Sequence, residues 1–438
     1  MQPIDALIQP KWIVTVEPKV AAETGRALAI DKGRIVAVLP SEEARERFAP
    51  EVVLERPDHV LMPGLVNAHC HAGMALFRGY ADDLPFEKWL DDRIWPAETR
   101  WVDRDFVAEG TRLAIAEMLL GGTTCFSDMY YFPDVVAEEA IEAGIRAVVG
   151  MIALDFPTAW ASGPDEYIEK GLAVHDRCRS APLVTTAFAP HAPYSVSDDL
   201  LARIRRLADE LLVPVHTHIH ETDSEISQSV AATGKRPLAR LDALGLVTPA
   251  LIGVHAIHLN RGEIDLLAQV QANIVHCPRS NLKLASGACP VNELLDAGVN
   301  VGLGTDGAAS NNRLDLWSEL EFAALFAKHV AGDARAVKAS AAIEMATING
   351  ARALNLDRET GSLLPGKAAD LICVELAGPG LVPVLDPVSQ LVYAASRDQV
   401  TDVWVAGRHL VSGGALTQMD LAAISTAAHA WAARLMTT

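Results

Sequence analysis

The sequence has few cysteines and no long apolar run, which argues against a secreted disulfide-rich protein and against a membrane protein. Only 6 of its 438 residues are cysteines, and no two of them form a CxxC pair. We therefore expect free buried thiols in a reducing cytoplasm rather than a disulfide-stabilised secreted fold. No apolar run approaches the roughly 20 residues that span a bilayer, and we expect neither a signal peptide nor a membrane anchor.

Basic residues are also scarce. The chain has 37 Lys and Arg against 56 Asp and Glu, and its net charge is −19. Nucleic acids and anionic membranes are therefore not expected partners, because phosphate binding needs clustered cations. Half of the residues are hydrophobic, which is enough for a large core. The length suits a barrel with an appended domain.

The two ends of the chain resemble each other and differ from the middle. Residues 4–61 and 366–415 each contain short strand patterns separated by turns. The pattern predicts one small β-sandwich domain built from both termini, residues 1–61 and 366–438, with a helix over 418–437.

The middle of the chain, residues 62–365, alternates apolar strand patterns with helical ones, which indicates a parallel sheet. Eight such units predict a closed (β/α)8 TIM barrel, an α/β fold. The eight predicted strands are 61–66, 123–128, 146–152, 183–189, 213–219, 250–255, 272–276 and 299–304.

Polar side chains follow these strands repeatedly, and in a barrel such positions meet on one face. His69 and His71 are two residues apart at the end of the first strand. Because side chains alternate along a strand, both imidazoles can point at one metal ion, while Cys70 faces away.

A second histidine group lies at the end of the fifth strand. His216, His218 and His220 alternate with other residues, so spacing alone leaves open which of them binds a metal. We expect at least one to be a hydrogen-bonded core residue. Glu221 follows directly, and a buried carboxyl group there would have a raised pKa and could deliver a proton.

Two further strands end in candidate catalytic residues. His255 ends the sixth strand, and Asp306 stands at the tip of the eighth, between Thr305 and Gly307. Three imidazoles and one carboxylate with an open position for water are typical of a catalytic zinc site. Iron or manganese would accept similar ligands, so the donor set alone does not fix the metal.

Three motifs carry a resemblance to a known family. They are Pro-Gly-Leu-Val-Asn-Ala-His-Cys-His at 63–71, His-Thr-His-Ile-His-Glu-Thr at 216–222 and Leu-Gly-Thr-Asp-Gly-Ala-Ala-Ser-Asn-Asn at 303–312. They resemble the amidohydrolase superfamily and, within it, the 5′-methylthioadenosine/S-adenosylhomocysteine deaminases, which are grouped with triazine hydrolases. The resemblance extends over essentially the whole chain, including residues 278–284 and 361–370.

The resemblance implies a distorted barrel with a β-sandwich and one Zn²⁺ per subunit. It selects His218 from the second histidine group. Binuclear members carry a lysine at the end of the fourth strand, and this sequence has none there. The implied roles are metal binding by His69, His71, His218 and Asp306, ribose binding by Glu98, substrate contact by His191, binding of the purine edge by Glu221, and proton transfer by Glu221, His255 and Asp306.

The implied reaction replaces the 6-amino group of an adenine nucleoside by water, in a cytoplasmic homo-oligomer. Two alternatives stay open: the same chemistry on guanine, a pterin or an s-triazine, and a barrel that has lost catalysis. The sequence also leaves open whether Arg279 or another arginine holds a homocysteine carboxylate. It does not decide which of Trp89, Trp95, His276 and Ser310 contact the ligand.

Overall fold

Two β-sheets organise the molecule in the computed structural model, which describes residues 1–437. One sheet has eight strands and the other has nine. The eight-stranded sheet contains β6 (Leu65–Cys70), β7 (Thr123–Asp128), β8 (Arg146–Ala153), β9 (Val184–Pro190), β10 (Val215–Ile219), β11 (Leu251–His255), β12 (Asn273–His276) and β13 (Asn300–Leu303). The nine-stranded sheet contains β1 (Gln2–Val14), β2 (Ala22–Thr24), β3 (Arg26–Asp31), β4 (Arg34–Pro40), β5 (Phe48–Pro63), β14 (Leu371–Glu375), β15 (Val400–Val405), β16 (Arg408–Ser412) and β17 (Ala415–Leu416).

Helices separate the barrel strands, and a helix is the last element of the described chain. In order they are α1 (Ser41–Arg47), α2 (Phe86–Trp89), α3 (Trp95–Trp101), α4 (Arg104–Leu120), α5 (Pro133–Ala143), α6 (Pro164–Cys178), α7 (Asp198–Leu211), α8 (Asp223–Thr233), α9 (Pro237–Ala243), α10 (Arg261–Val270), α11 (Pro278–Lys283), α12 (Val291–Asp296), α13 (Ala308–Asn311), α14 (Leu316–Ala331), α15 (Ala339–Ala346), α16 (Ile348–Ala353), α17 (Pro387–Tyr393) and α18 (Leu421–Leu435). A π-helical turn, Leu90–Ile94, joins α2 to α3, and short 3₁₀ helices span Ala72–Phe77 and Arg397–Gln399.

The eight-stranded sheet is a barrel of parallel strands in sequence order from β6 to β13. Its first and last strands meet where the backbone N–H of Asp306 donates to the carbonyl of His69 at 3.1 Å. The N–H of Thr305 donates to Asn67 Oδ1 at 3.0 Å beside it. The α/β barrel fold predicted from the sequence is confirmed, and all of its strands run toward one face.

The nine-stranded sheet takes strands from both termini. The long strand β5 pairs parallel with β1 and antiparallel with β14, so the amino- and carboxyl-terminal segments share one sheet. A buried ion pair between Arg146 and Asp370, 2.7 Å long, ties this region to strand β8 of the barrel. The exact domain limits at 1–61, 62–365 and 366–438 stay a prediction.

The first barrel strand lies further along the chain than the predicted 61–66. The apolar run before Gly64 belongs to β5, where Val60 and Leu61 pair with Val374 and Cys373 of β14. Gly64 separates the two sheets at a close approach, since a Cβ atom there would lie 2.1 Å from Thr124 Oγ1. The histidines of the first motif therefore lie at the end of β6.

None of the helices within residues 1–437 combines the length and the apolar character that crossing a bilayer requires.

Candidate active site

Four side chains converge at the carboxyl ends of three barrel strands. His69 lies in β6 and His71 directly follows it, His218 lies in β10, and Asp306 follows β13. One ligand atom from each residue lies within 4.8 Å of the others. The barrel thus brings together side chains that are up to 237 positions apart in the sequence.

The distances within this group suit a metal ion. His71 Nε2 and His69 Nε2 lie 3.1 and 3.3 Å from Asp306 Oδ1, and His69 Nε2 lies 3.2 Å from His218 Nε2. A tetrahedral zinc site with ligands at about 2.0–2.1 Å separates its ligand atoms by roughly 3.3–3.4 Å. Three of the distances between ligand atoms are close to this value, and all four atoms lie within 4.8 Å of one another, so the group can hold one divalent cation.

Backbone carbonyls fix the orientation of two of these imidazoles. His218 Nδ1 donates to the carbonyl of His191 at 2.8 Å, and His71 Nδ1 donates to the carbonyl of Met129. Because a carbonyl only accepts, each Nδ1 carries the proton and each Nε2 keeps a free lone pair. His69 Nδ1 contacts His216 Nε2 at 3.0 Å.

Two hydroxyl groups hold the carboxylate of Asp306. Ser280 and Ser310 donate to its Oδ2 at 2.6 and 2.5 Å, which leaves Oδ1 facing His69 and His71. Burial alone would raise the pKa of Asp306, but the neighbouring imidazoles of His69 and His71 hold that pKa well below its usual value. The carboxylate is therefore ionised, with Oδ2 accepting from the two serines and Oδ1 facing the imidazoles.

His255 and Glu221 lie beside this group. His255 Nε2 is 3.6 Å from Glu221 Oε1, and its Nδ1 contacts Asn281 Oδ1 at 2.8 Å. Burial raises the pKa of Glu221, against the charge of His255. Glu225 supports the turn by accepting the backbone N–H of Glu221 at 2.8 Å. The pair thus offers a protonatable carboxyl group next to an oriented imidazole.

Glu98, on α3, lines the same cavity as His255 and Glu221. It is buried, and Tyr131 donates to it at 3.3 Å. Burial raises the pKa of Glu98 to about 7, although the nearby hydroxyl groups of Tyr130 and Tyr131 and the charge of His71 oppose the rise. Burial likewise lowers the pKa of His191, which faces the cavity, to about 3. His191 is therefore neutral.

Most of these groups line one cavity. It contains seven of the eight site residues expected from the sequence, and His69 lies beneath it, fully buried. The complete lining is His71, Met74, Phe86, Trp89, Leu90, Ile94, Trp95, Glu98, Met129, Tyr130, Tyr131, Ile152, His191, Tyr194, His218, Glu221, His255, Asp306 and Ser310.

Other candidates from the sequence lie away from the cavity. His220 follows the end of β10 with φ of 52° and contacts the backbone of His258 and Leu238. His276 is buried outside the lining, and Arg279 donates to Asn311. His220 therefore leaves the face that strand alternation assigned to it, and it is one of the hydrogen-bonded core histidines that we expected.

Sequence reasoning missed the residues that support the site. Ser280 and Asn281 lie in α11, within the Pro-Arg-Ser-Asn-Leu-Lys-Leu segment that carries part of the resemblance, yet no role was expected for them. The tyrosines at 130 and 131 were also missed. The signal for both was their position just after strands β12 and β7, where barrel residues reach the site.

Comparisons with known proteins agree with this site. The model of the amidohydrolase family matches residues 60–410. A 5-methylthioadenosine/S-adenosylhomocysteine deaminase from Teredinibacter turnerae is 49% identical over 99% of this chain and 98% of its own. These matches confirm the resemblance drawn from the three motifs.

Solved structures give the same picture. An adenosine deaminase from Xanthomonas campestris, with bound zinc, is 51% identical and superposes with a TM-score of 0.99 over 100% of both chains. Atrazine chlorohydrolase from Arthrobacter aurescens, complexed with zinc, is 25% identical and has a TM-score of 0.91 over 97% of this chain and 99% of its own.

Proposed function

The chain belongs to the amidohydrolase family, and on that premise we propose that it is a zinc-dependent nucleoside deaminase. Its substrates are 5′-methylthioadenosine and related adenine nucleosides such as S-adenosylhomocysteine. Water replaces the 6-amino group of the purine, and the products are ammonia and the inosine analogue. One observation carries the proposal: the four clustered ligand atoms share one cavity with Glu221, His255 and Glu98.

His69, His71, His218 and Asp306 would hold the zinc ion. Three neutral imidazole nitrogens and one carboxylate oxygen form a donor set typical of catalytic zinc, and their spacing fits it. When bound, zinc acts as a Lewis acid that makes water nucleophilic near neutral pH.

The neighbouring residues of the chain handle the protons. Asp306 and His255 accept the proton of the attacking water and pass it to the departing amine. Glu221, whose buried carboxyl group has a raised pKa, delivers a proton to N1 of the purine as the oxygen bonds to C6. When the C6–N bond breaks, Glu221 accepts the proton of the new C6 hydroxyl group, so the product has a C6 carbonyl and keeps the proton on N1. Such acid–base assistance is worth about 10²–10⁴-fold in rate at each step.

Glu98 and His191 bind the rest of the nucleoside. A carboxylate accepts hydrogen bonds from two vicinal hydroxyl groups at once, so Glu98 suits the 2′- and 3′-hydroxyls of a ribose. Glu98 lines the same cavity as His255 and Glu221, so one pocket can hold both the sugar and the reacting end of the purine.

The test is steady-state kinetics of the zinc-loaded protein with 5′-methylthioadenosine, S-adenosylhomocysteine and adenosine. We expect ammonia release with loss of the adenine absorbance band, and loss of turnover after treatment with a chelator that zinc restores. Turnover of a ribose-free aminoheterocycle, with none of the three nucleosides consumed, would contradict the proposal.

A second candidate is hydrolysis of an s-triazine, because the atrazine chlorohydrolase shares the fold at a TM-score of 0.91. Glu98 argues against it, since an s-triazine offers no vicinal hydroxyl groups to a buried carboxylate. Atrazine in the same assay distinguishes the two functions.

The proposal also covers the location of the enzyme and its assembly. The enzyme acts in the cytoplasm, in keeping with the six free and buried cysteines. It forms a homo-oligomer, and exposed apolar side chains on α14, Phe322, Leu325 and Val330, provide a surface for contact between copies. Light scattering of the purified protein tests the assembly.

A further inference from the structure

Part of the cavity lining is apolar and comes mostly from the single stretch of chain that runs from α2 into α3. We call it the apolar wall: Phe86, Trp89, Leu90, Ile94, Trp95 and Ile152. Trp95 and Glu98 are three residues apart in α3 and therefore share one face of the helix. The apolar wall thus begins next to the carboxylate that the proposed function assigns to the ribose.

This placement indicates which part of the nucleoside meets the apolar wall. The purine carbon that reacts must lie over the metal ligands and Glu221, and the ribose hydroxyls must face Glu98. The remaining substituent, on the 5′ carbon of the ribose, lies next to these hydroxyls and can therefore reach the side chains of the apolar wall, which begins at Trp95 beside Glu98. Those side chains are aromatic and aliphatic, which favours a thioether carrying a small alkyl group.

Cationic side chains are missing from this surface. Among the described residues that line the cavity, none is arginine or lysine. Arg279, the arginine singled out from the sequence, donates to Asn311 at 3.1 Å and lies over the ring of Phe322, 5.1 Å from its centroid. The guanidinium of Arg93 lies over the ring of Tyr80. Neither group faces the cavity as a partner for a carboxylate.

The groove outside the cavity is acidic. Phe86 lines both the cavity and this groove, which also carries the exposed carboxylates of Asp83, Glu87 and Asp223. Its lysine, Lys283, already donates to Asp82 at 2.6 Å. Among the described residues that line this groove there is no second lysine and no arginine, so a carboxylate that reached past Phe86 would meet like charges there.

We propose that this chain selects adenine nucleosides with a small, uncharged and apolar 5′ substituent, such as methylthio, and discriminates against the amino-acid tail of S-adenosylhomocysteine. The inference rests on the proposed deaminase function and deepens it. The carboxylate of the homocysteine tail would lose water on entering the site and gain no cationic partner, whereas a methylthio group is buried against aromatic rings.

The experiment compares kcat/KM of the zinc-loaded enzyme for 5′-methylthioadenosine, adenosine and S-adenosylhomocysteine. We expect 5′-methylthioadenosine to exceed S-adenosylhomocysteine by about tenfold or more, and to exceed adenosine as well. A value for S-adenosylhomocysteine within about threefold of that for 5′-methylthioadenosine would overturn the inference and leave the deaminase function standing. No turnover of any of the three would overturn both.

A matched pair of variants tests the physical cause. Phe86→Arg places a guanidinium at the boundary between cavity and groove, where it can bind a carboxylate through two hydrogen bonds. Phe86→Met keeps a flexible apolar side chain of similar length. We expect the ratio of kcat/KM for S-adenosylhomocysteine over 5′-methylthioadenosine to rise with arginine and not with methionine. An equal ratio in both variants would contradict the role of charge.

Discussion

The cavity has two sides that are held in place in different ways. The metal ligands His69, His71, His218 and Asp306 stand at or just beyond the ends of barrel strands, and further contacts hold each of them. The apolar wall stands on a short helix, a π-helical turn and the start of α3, outside the barrel strands except for Ile152. In the proposed function, the chemistry would thus depend on the ends of the barrel strands, and substrate selection on a segment outside them.

Removal of a proposed metal ligand should have the largest effect on activity. In His218→Ala we expect zinc content to fall from one ion per chain to near zero, and kcat/KM to fall below about 10⁻³ of the wild-type value, because the water loses its Lewis acid. Elemental analysis and ammonia release measure the two effects. The control is His429→Ala, at an exposed histidine of α18, where neither should change. Full activity with no bound metal in His218→Ala would refute the assignment.

Glu221→Gln separates proton transfer from metal binding on the same side of the cavity. We expect kcat to fall by about 10²–10⁴-fold, because the amide cannot deliver a proton to N1, while zinc content stays at one per chain. Glu293→Gln on α12, an exposed position, is the control. Near-normal turnover of Glu221→Gln would show that the proton comes from another group.

The side with the metal ligands was largely predictable from the sequence. The apolar strand pattern over 123–128 predicted β7 with its observed bounds. Alternation along a strand predicted that His69 and His71 point to the same place. Alternation failed at His220, because β10 ends at Ile219 and the next residue turns into a left-handed conformation. The choice of His218 among three histidines came from the resemblance, since local spacing could not supply it.

The apolar wall was not predictable in the same way. Residues 86–95 carry no strand alternation, and a π-helical turn shifts the faces of the helices on either side of it. The sequence left open whether Trp89 and Trp95 contact ligand, and only the fold places both on the cavity. The predicted start of the first barrel strand was also wrong, because the apolar run around Gly64 belongs partly to β5 and partly to β6.

Trp95→Ala probes the apolar wall without touching the metal ligands. We expect KM for 5′-methylthioadenosine to rise about 10- to 30-fold with a small change in kcat, because aromatic contact in the ground state is lost. Trp101→Ala is the matched control, since Trp101 ends the same helix outside the cavity. A fall in kcat with unchanged KM would show that Trp95 contributes to the chemical step and not to substrate binding.

The smallest expected effect on KM comes from the ionisation of Glu98. Burial raises its pKa to about 7, so the carboxyl group gains a proton as pH falls through neutrality and loses charge as an acceptor for the ribose hydroxyls. KM for 5′-methylthioadenosine should therefore rise as pH falls from about 8 to 6, by at most about tenfold. In Glu98→Gln we expect a raised KM that no longer varies over this range, because the amide does not titrate. If Glu98→Gln kept the wild-type pH profile, the titrating group would lie elsewhere, and ribose recognition would not depend on this charge.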